Sequence, residues 1–287
     1  MATGNIHRKG RQRLLTFAFS AALWLAAGAV AAQKLPRNEP VPGGVAVLAL
    51  PAQAARPRVS YQGRPVMVVR HRAHWYAVVG IPLSVKPGRE SLRLNGRHSL
   101  RFEVVAKTYP SQHITIKNRH MVNPTAAELK RIRRDRVRID KAVRHWTARA
   151  DVPVRLAMPV HGPLSSTFGL RRYFNGEPRA PHSGWDIAVP AGTPIHAPAP
   201  GTVVLTGDFF FDGNMVVIDH GQGLATLYAH IHRIKVHRGE SVKAGQIIGT
   251  VGRTGRATGP HLHWGVSLND ARVDPALFVT DAPVAAR

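Results

Sequence analysis

Glycine and proline punctuate the C-terminal half of the chain, from residue 148 to residue 287, and the segments between them are short. These segments are rich in β-branched and other apolar residues, and the clearest are 201–205, 215–219, 224–228, 246–251 and 263–268. Short strand-like segments without intervening helical patterns predict an antiparallel sheet rather than alternating β and α units. We therefore predict a mostly β fold, with residues 151–287 as the larger domain.

Residues 33–122 carry the signals of a smaller β-rich domain. Two pairs of runs with strand character predict two hairpins, 66–69 with 75–79 and 91–94 with 100–104. The dipeptide Asn95-Gly96 separates the second pair and is a strong hairpin turn. Runs 45–50 and 112–117 predict further strands, so we expect a small, mostly antiparallel domain.

A basic α-helix is predicted to link the two domains within residues 123–150. Thr125 and Glu128 match a capping box at its start. One apolar stripe has helical spacing and comprises Leu129, Ile132, Ile139, Val143 and Trp146. The other faces are rich in Lys and Arg, and we interpret them as the solvated surface of a bracing helix. A helix that contacts a polyanion, such as DNA, a membrane surface or cell wall, is the alternative.

Residues 1–32 have the pattern of a signal peptide. A basic stretch precedes an apolar run at 14–30, and Ala29-Val30-Ala31 provides a small-x-small cleavage site. Cleavage would leave a mature chain that begins near Ala32 or Gln33; an uncleaved membrane anchor is the alternative. Both interpretations predict a protein of the periplasm or cell envelope.

The composition limits the partners and the chemistry of the chain. Lys and Arg number 40 against 16 acidic residues, and the net charge of +24 favours anionic partners. Because the chain is predicted to be exported, we expect an anionic envelope surface and no nucleic acid. The absence of cysteine excludes disulfides, thiolate metal ligands and a cysteine nucleophile. Any metal site must therefore use His, Asp or Glu.

Two pairs of residues in the C-terminal domain have metal-ligand spacing. His182 and Asp186 are four residues apart, and His261 and His263 are two apart. On a strand, side chains at even separations point to the same face, so each pair can be directed at one ion. Pro181 and Gly184 argue against a helix at the first pair. The alternative is two unrelated pairs of surface histidines.

These pairs are embedded in a longer series of motifs, and the series resembles a known family. The matching blocks are 166–169, 181–188, 192–198, 201–204, 219–221, 226–230, 242–249 and 258–263. In this order they are similar to the lysostaphin-type (LytM-like) zinc endopeptidases, which cut peptidoglycan cross-links. The segment 168–181 and the N-terminal region are similar to exported Gram-negative members of the family.

The resemblance implies a role for each of five residues. His182, Asp186 and His263 match the three ligands of one zinc ion per chain, and His230 and His261 match the two catalytic histidines. It implies that a zinc-activated water attacks the scissile carbonyl of a peptidoglycan stem peptide, with a D-alanyl-diaminopimelate bond as the target. We favour His261 as the base and His230 as the residue that assists the oxyanion or the leaving amine, although these roles could be exchanged. A non-enzymatic regulator is the alternative, and the presence of all five residues argues against it.

Overall fold

A computed structural model describes residues 1, 2, 4 and 35–279 of the chain. The predicted signal peptide lies outside the described residues, except for residues 1, 2 and 4. Within the described part of the chain, no helix has both the length and the apolar character needed to cross a bilayer.

The described chain begins with eight strands and continues through a 3₁₀-helix and one α-helix to twelve more strands. The first eight strands are β1 (Val45–Ala49), β2 (Val59–Tyr61), β3 (Arg64–Pro65), β4 (Met67–His71), β5 (His74–Gly80), β6 (Gly88–Leu94), β7 (His98–Val104) and β8 (Ser111–Ile114). They are followed by a 3₁₀-helix at Arg119–Met121 and by the α-helix α1 at Ala126–Val143.

The remaining strands all belong to the C-terminal half. They are β9 (Leu164–Ser166), β10 (Arg171–Phe174), β11 (Glu177–Pro178), β12 (Trp185–Ile187), β13 (Pro194–His196), β14 (Gly201–Phe209), β15 (Gly213–Gly221), β16 (Leu224–Ile234), β17 (Ser241–Val242), β18 (Ile247–Val251), β19 (Leu262–Leu268) and β20 (Ala271–Val273). A second 3₁₀-helix, at Pro275–Leu277, follows β20. The predicted mostly β fold is confirmed.

The N-terminal strands form two small antiparallel sheets, in the orders β1-β5-β4 and β3-β2-β6-β7. Both predicted hairpins are present, β4 with β5 and β6 with β7. In the second hairpin, Asn95 and Gly96 have φ angles of 50° and 72°, which Asn and Gly adopt more readily than other residues. Ala46, Val79 and Leu92 are among the residues that fill the apolar core between these sheets.

All C-terminal strands except β10 and β11, which form a separate sheet with β8, belong to one large sheet in the order β17-β14-β15-β16-β19-β12-β9. β13, β18 and β20 attach to this sheet, and every strand pair in it is antiparallel. Tyr228 on β16 and Trp264 on β19 are fully buried and lie opposite each other. The sheet therefore has the antiparallel topology that the glycine and proline pattern predicts, and its central strands are the most deeply buried.

Strand β8 differs from the prediction in its partner. The alternation of residues 112–117 predicted a strand of the small antiparallel domain. Instead, β8 runs parallel to β10 of the C-terminal half, with Gln112 opposite Arg172. Alternation indicates which residues share a face of a strand, but it does not specify the neighbouring strand. The last strand of the N-terminal region therefore becomes part of the structure around the C-terminal half.

Helix α1 is shorter than predicted, but it begins as expected. The Thr125 hydroxyl accepts from the Glu128 amide (3.3 Å) and the Glu128 carboxylate accepts from the Thr125 amide (2.7 Å), which completes the capping box. The predicted apolar stripe is only partly correct, since Val143 is buried but Leu129 is exposed. Asp135, which is not part of the predicted stripe, is buried and accepts a hydrogen bond from the backbone amide of Phe210. The helix is therefore held partly by a polar contact.

A buried asparagine joins the N-terminal sheets to the large sheet. The Asn269 side chain, in the turn between β19 and β20, accepts from the Gly80 amide (2.6 Å) and donates to the Gly80 carbonyl (2.9 Å). A Cβ at Gly80 would lie 2.5 Å from the Leu268 carbonyl oxygen, so this close approach requires glycine. Because the bonded groups are buried, they have no water to replace the asparagine.

We predict that removal of this asparagine destabilises the protein through two separable effects. Asn269→Gly should cost about 2–4 kcal/mol, because it leaves the buried Gly80 amide and carbonyl without this partner. Asn269→Ala should cost about 1 kcal/mol more, because residue 269 has a φ of 42°, which strains alanine and not glycine. Urea unfolding of the three proteins measures both effects. Wild-type stability in Asn269→Gly would show that the two hydrogen bonds do not join the sheets.

Candidate metal centre

The pairing of two strands in the large sheet determines the position of the first candidate ligands. Asp186 on β12 lies directly opposite His263 on β19. His182 precedes β12 and is held by backbone hydrogen bonds, from its amide to the Leu170 carbonyl (2.9 Å) and from the Gly169 amide to its carbonyl (2.8 Å). Only Asp186 and His263 thus lie within strands, whereas the spacing argument had placed His182 on a strand as well.

Three donor atoms from these residues converge on one point. His182 Nε2 lies 3.0 Å from Asp186 Oδ1 and 3.0 Å from His263 Nδ1. His263 Nδ1 lies 2.8 Å from Asp186 Oδ1. Atoms with these separations can all contact one ion at the bond lengths of about 2.0–2.2 Å that zinc forms with nitrogen and oxygen. His182, Asp186 and His263, called the His-Asp-His cluster below, could therefore hold a metal ion.

The chemistry of the cluster supports a cation at its centre. His182 Nδ1 lies 2.7 Å from the Thr167 carbonyl oxygen, which can only accept, so Nδ1 carries the proton and Nε2 carries a lone pair. Asp186 Oδ1 also offers only lone pairs, since the Arg172 guanidinium, 2.6 Å from Oδ2, favours the ionised carboxylate. At most one proton, on His263, can separate these electron-rich atoms. A metal ion would satisfy all three.

The surroundings of the cluster orient its members. The Arg172 guanidinium donates to Asp186 Oδ2 (2.6 Å), which leaves Oδ1 directed at the other two donors. Burial lowers the pKa of His182 to about 4, so its ring is neutral at pH 7, as metal binding requires. Gly184 packs so closely that a Cβ there would lie 2.5 Å from the Trp264 carbonyl oxygen and 2.9 Å from the His263 ring. The cluster is thus fixed by its neighbours on several sides.

His230 reaches the same cleft through an irregularity in strand β16. Asn214 pairs with Ile231 and Val216 pairs with Tyr228, so two residues of β16 face one residue of β15, as in a β-bulge. His230 is one of the two, and its φ of 62° lies in the left-handed region, which is uncommon outside glycine. The bulge turns the side chain toward His261, with ring centroids 4.6 Å apart.

The two additional histidines present their Nε2 atoms to the cleft in the same tautomer. His230 Nδ1 lies 2.7 Å from the Thr254 carbonyl, and His261 Nδ1 lies 2.9 Å from the Gly259 carbonyl. Each Nδ1 must therefore donate, which leaves a lone pair on Nε2 when the ring is neutral. Burial, with His261 and His263 nearby, lowers the pKa of His230 to about 3. Each neutral ring thus directs a lone pair at Nε2 into the cleft.

All five predicted site residues line one cleft of about 210 Å³. Phe211 and Asp212 of the β14–β15 turn form part of its wall, whereas the neighbouring Phe209 and Phe210 are buried in the protein. Strand β8 and the residues after it also contribute, so the N-terminal region forms part of the same wall. The remaining lining residues are Ile114, Ile116, Arg172, Phe174, Ala180, Pro181, Ser183, Arg256 and Thr258.

Two polar residues near Arg172 lie outside the cleft. Tyr173 stacks on His113, with ring centroids 4.6 Å apart, and Asn175 bonds the backbone of Ile116. Sequence reasoning did not identify the Arg172–Asp186 ion pair or the carbonyls that orient His182 and His230. The carbonyls belong to the backbone, so no residue type could have indicated them. Arg172, by contrast, is a basic side chain in segment 168–181, which is similar to the family, so the sequence did contain a signal for it.

Comparison with known proteins assigns both halves of the chain to related sequence profiles. Residues 180–275 match "Peptidase family M23", and residues 38–107 match "Peptidase family M23 N-terminal domain". A crystal structure of a Pseudomonas aeruginosa protein assigned to peptidase M23 is similar throughout, with 47% identity and a TM-score of 0.72. The similarity covers 84% of this chain and 95% of that one.

Curated relatives are similar over a shorter region. The peptidoglycan DD-endopeptidase ShyA of Vibrio cholerae is 47% identical over 102 residues, which are 35% of this chain and 24% of ShyA. The DD-carboxypeptidase/endopeptidase Mpg of Neisseria meningitidis is 40% identical over 124 residues, which are 43% of this chain and 29% of Mpg. The chain thus spans less than a third of the length of either relative.

We predict that Gly184→Ala weakens metal binding. The added Cβ cannot displace the Trp264 backbone easily, so the His263 ring should shift away from the other two donors. The affinity for zinc should fall by about 10- to 100-fold, as for other changes to residues that support a metal ligand. Titration calorimetry with zinc measures the change. Gly259→Ala, where an added Cβ meets nothing within 4 Å, is the matched control, and equal affinities of the two variants would contradict the prediction.

A second prediction concerns His220, which is fully buried and lies outside the cleft. Its Nδ1 donates to the Pro200 carbonyl (2.8 Å), and burial lowers its pKa from 6.5 to about 4. Because the pKa of His220 is lower in the folded protein, the unfolded chain binds the proton at a higher pH than the folded protein does. The contribution of neutral His220 to stability is therefore complete above about pH 6.5 and falls as the pH drops toward 4. Protonation of this residue should lower the free energy of unfolding by about 3 kcal/mol.

Urea unfolding between pH 7 and pH 4 tests this linkage. His220→Gln should flatten the dependence of the unfolding free energy on pH, whereas the exposed His232→Gln should leave it unchanged. The same slope in all three proteins would mean that His220 is not the source of the acid sensitivity.

Proposed function

Because this chain belongs to peptidase family M23, we propose that it is an exported zinc endopeptidase that hydrolyses peptide cross-links of peptidoglycan. The observation that carries the proposal is the convergence of three metal-ligand atoms beside two histidines with free Nε2 lone pairs. ShyA and Mpg, which match the C-terminal half, are named for DD-endopeptidase activity. We transfer that activity to this chain as part of the proposal.

The His-Asp-His cluster is the proposed site of one zinc ion per chain. Two neutral imidazoles and one carboxylate are a ligand set that zinc accepts, and their number leaves a position open for catalysis. When bound, zinc polarises a carbonyl and lowers the pKa of a water. Arg172 donates to Asp186 Oδ2 and so leaves Oδ1 available to the ion, and the Thr167 carbonyl keeps His182 in the tautomer that presents Nε2.

His261 is the proposed general base. Its Nε2 lies 3.8 Å from Asp186 Oδ1, so it is close to the place where the attacking water must sit, and its lone pair can take the water's proton. His230 is the proposed second participant. As a neutral ring bonded to Thr254 through Nδ1, it can donate from Nε2 only after it has taken up a proton, and the source would be the His261 ring, whose centroid lies 4.6 Å away and which would carry the water's proton. It could then donate a hydrogen bond to the oxyanion or a proton to the leaving amine. The hydrogen bonds at Nδ1 are equally compatible with His230 as the base and His261 in the second role.

The envelope is the proposed location and the source of the substrate. Peptidoglycan lies outside the cytoplasm, and the signal sequence predicted at residues 1–32 would deliver the chain to the periplasm or cell envelope. The net charge of +24 and the basic exposed faces of α1 suit an anionic envelope surface. The proposed partners are therefore stem peptides and the anionic surface that carries them, with no role for nucleic acid.

We predict that alanine variants of the five residues fall into two classes. His182→Ala, Asp186→Ala and His263→Ala should lose bound zinc and activity together, because each removes a ligand. His230→Ala and His261→Ala should retain zinc but lose activity by about 10²- to 10⁴-fold, because each removes a proton acceptor. Zinc content by mass spectrometry and digestion of purified sacculi separate the classes.

Two controls make this experiment specific. The exposed His232→Ala, on the same strand as His230, should match the wild type in both measurements. A chelator should stop digestion by the wild type, and added zinc should restore it. If the wild type releases no chelator-sensitive products, the chain is a non-enzymatic member of the family, and full activity in any of the five variants would remove that residue from the site.

A further inference from the structure

Arg256 is a cation at the edge of the catalytic cleft that the proposed mechanism does not use. Its guanidinium carbon lies 4.6 Å from the centre of the Phe174 ring and 4.1 Å from that of the Phe211 ring. Its Nη1 donates to the Met121 carbonyl (3.1 Å) of the N-terminal region. These contacts fix the guanidinium in one position beside the histidines that line the same cleft.

This guanidinium forms no ion pair in the described part of the chain, although Asp212 lines the same cleft. Arg172 and Arg179 nearby form ion pairs with Asp186 and Glu177, both with N–O distances of 2.6 Å, but no carboxylate lies within 4.0 Å of Arg256. Burial lowers the pKa of Arg256 to about 10, so the group is still charged at neutral pH. A partly buried cation without a counter-ion is costly, and an anionic ligand would offset this cost.

The proposed substrate brings a carboxylate to this part of the cleft. In a D-alanyl-diaminopimelate cross-link, the carbon bonded to the scissile nitrogen also carries a free carboxylate. That group is only two bonds from the nitrogen, so it must lie close to the His-Asp-His cluster during hydrolysis. The planar fork of an arginine matches the geometry of a carboxylate, and two parallel hydrogen bonds can form.

We propose that Arg256 determines specificity by binding the carboxylate on the leaving-group side of the scissile bond, an inference that rests on the proposed function. The residue acts in recognition: it holds the diaminopimelate centre so that the scissile carbonyl faces His261 and the cluster. Peptides that carry an amide at that carbon, or no charged group there, would lose this contact.

Another unpaired arginine near the site is less suited to this role. The Nη1 atom of Arg272 is buried without a hydrogen-bond partner, and Arg272 lines a separate cavity of about 380 Å³ under α1. That cavity contains only His263 of the five site residues. The cleft with Arg256 contains all five site residues.

A matched pair of substrates tests the proposal. One is a cross-linked muropeptide dimer with the free carboxylate next to the scissile nitrogen, and the other is the same dimer with that group converted to a carboxamide. The zinc-loaded wild type should prefer the carboxylate dimer in kcat/KM by on the order of 10- to 100-fold. In Arg256→Gln this ratio should fall to near one, and in Arg256→Lys, which keeps the charge but not the fork, it should be intermediate. The exposed Arg253→Gln, in the same loop, should show the wild-type ratio.

The outcomes distinguish this inference from the proposed function. A wild-type ratio near one, with both dimers hydrolysed, overturns the role of Arg256 and leaves the endopeptidase proposal intact. An unchanged ratio in Arg256→Gln also overturns it, because a purely structural arginine would alter both substrates equally. If the wild type hydrolyses neither dimer, the proposed function fails and this inference fails with it. Thermal unfolding and zinc content show whether Arg256→Gln is folded. If it is misfolded, the substrate ratio of Arg256→Lys tests the proposal instead.

Discussion

The candidate metal centre depends on three electron-rich atoms that are held about 3 Å apart. This arrangement would be unfavourable without a cation between them. The β12–β19 pairing places Asp186 opposite His263, and backbone hydrogen bonds hold His182 beside them. A rigid antiparallel sheet can maintain such a cluster because its own backbone hydrogen bonds resist separation of the strands. The same rigidity would keep a metal-binding geometry ready in advance, so little reorganisation would be required when an ion enters.

The N-terminal region contributes directly to the cleft of the C-terminal half. Strand β8 pairs with β10, and its Gln112 accepts from Ser166 (3.0 Å), a residue close to His182. Ile114 and Ile116 line the cleft, and the Met121 carbonyl anchors Arg256. The site is thus assembled from both parts of the chain, and any movement of the N-terminal region would alter the width of the cleft and the position of Arg256.

Much of the fold and the identity of the candidate site could be predicted from local patterns. Glycine, proline and β-branched residues indicated the antiparallel sheet, Asn95-Gly96 indicated a hairpin, and Thr125 with Glu128 indicated the start of α1. These signals are reliable because each depends on a residue's own backbone preferences or on a neighbour a few positions away. The parallel partner of β8 and the buried Asp135 depend on distant segments, and no local pattern contains that information.

The sequence by itself determined the types and the spacing of the candidate metal ligands, but strand periodicity does not explain their convergence, because His182 and His261 lie outside β12 and β19. Family resemblance, rather than spacing, identified His230, and only the tertiary structure accounts for its direction: the bulge in β16 and a φ of 62° turn the ring toward His261. The tertiary structure also decided that Arg172 pairs with Asp186 and that Arg256 has no carboxylate within 4.0 Å among the described residues. Strand register, bulges and ion pairs result from the packing of segments far apart in the chain, and such packing is settled only when the chain folds.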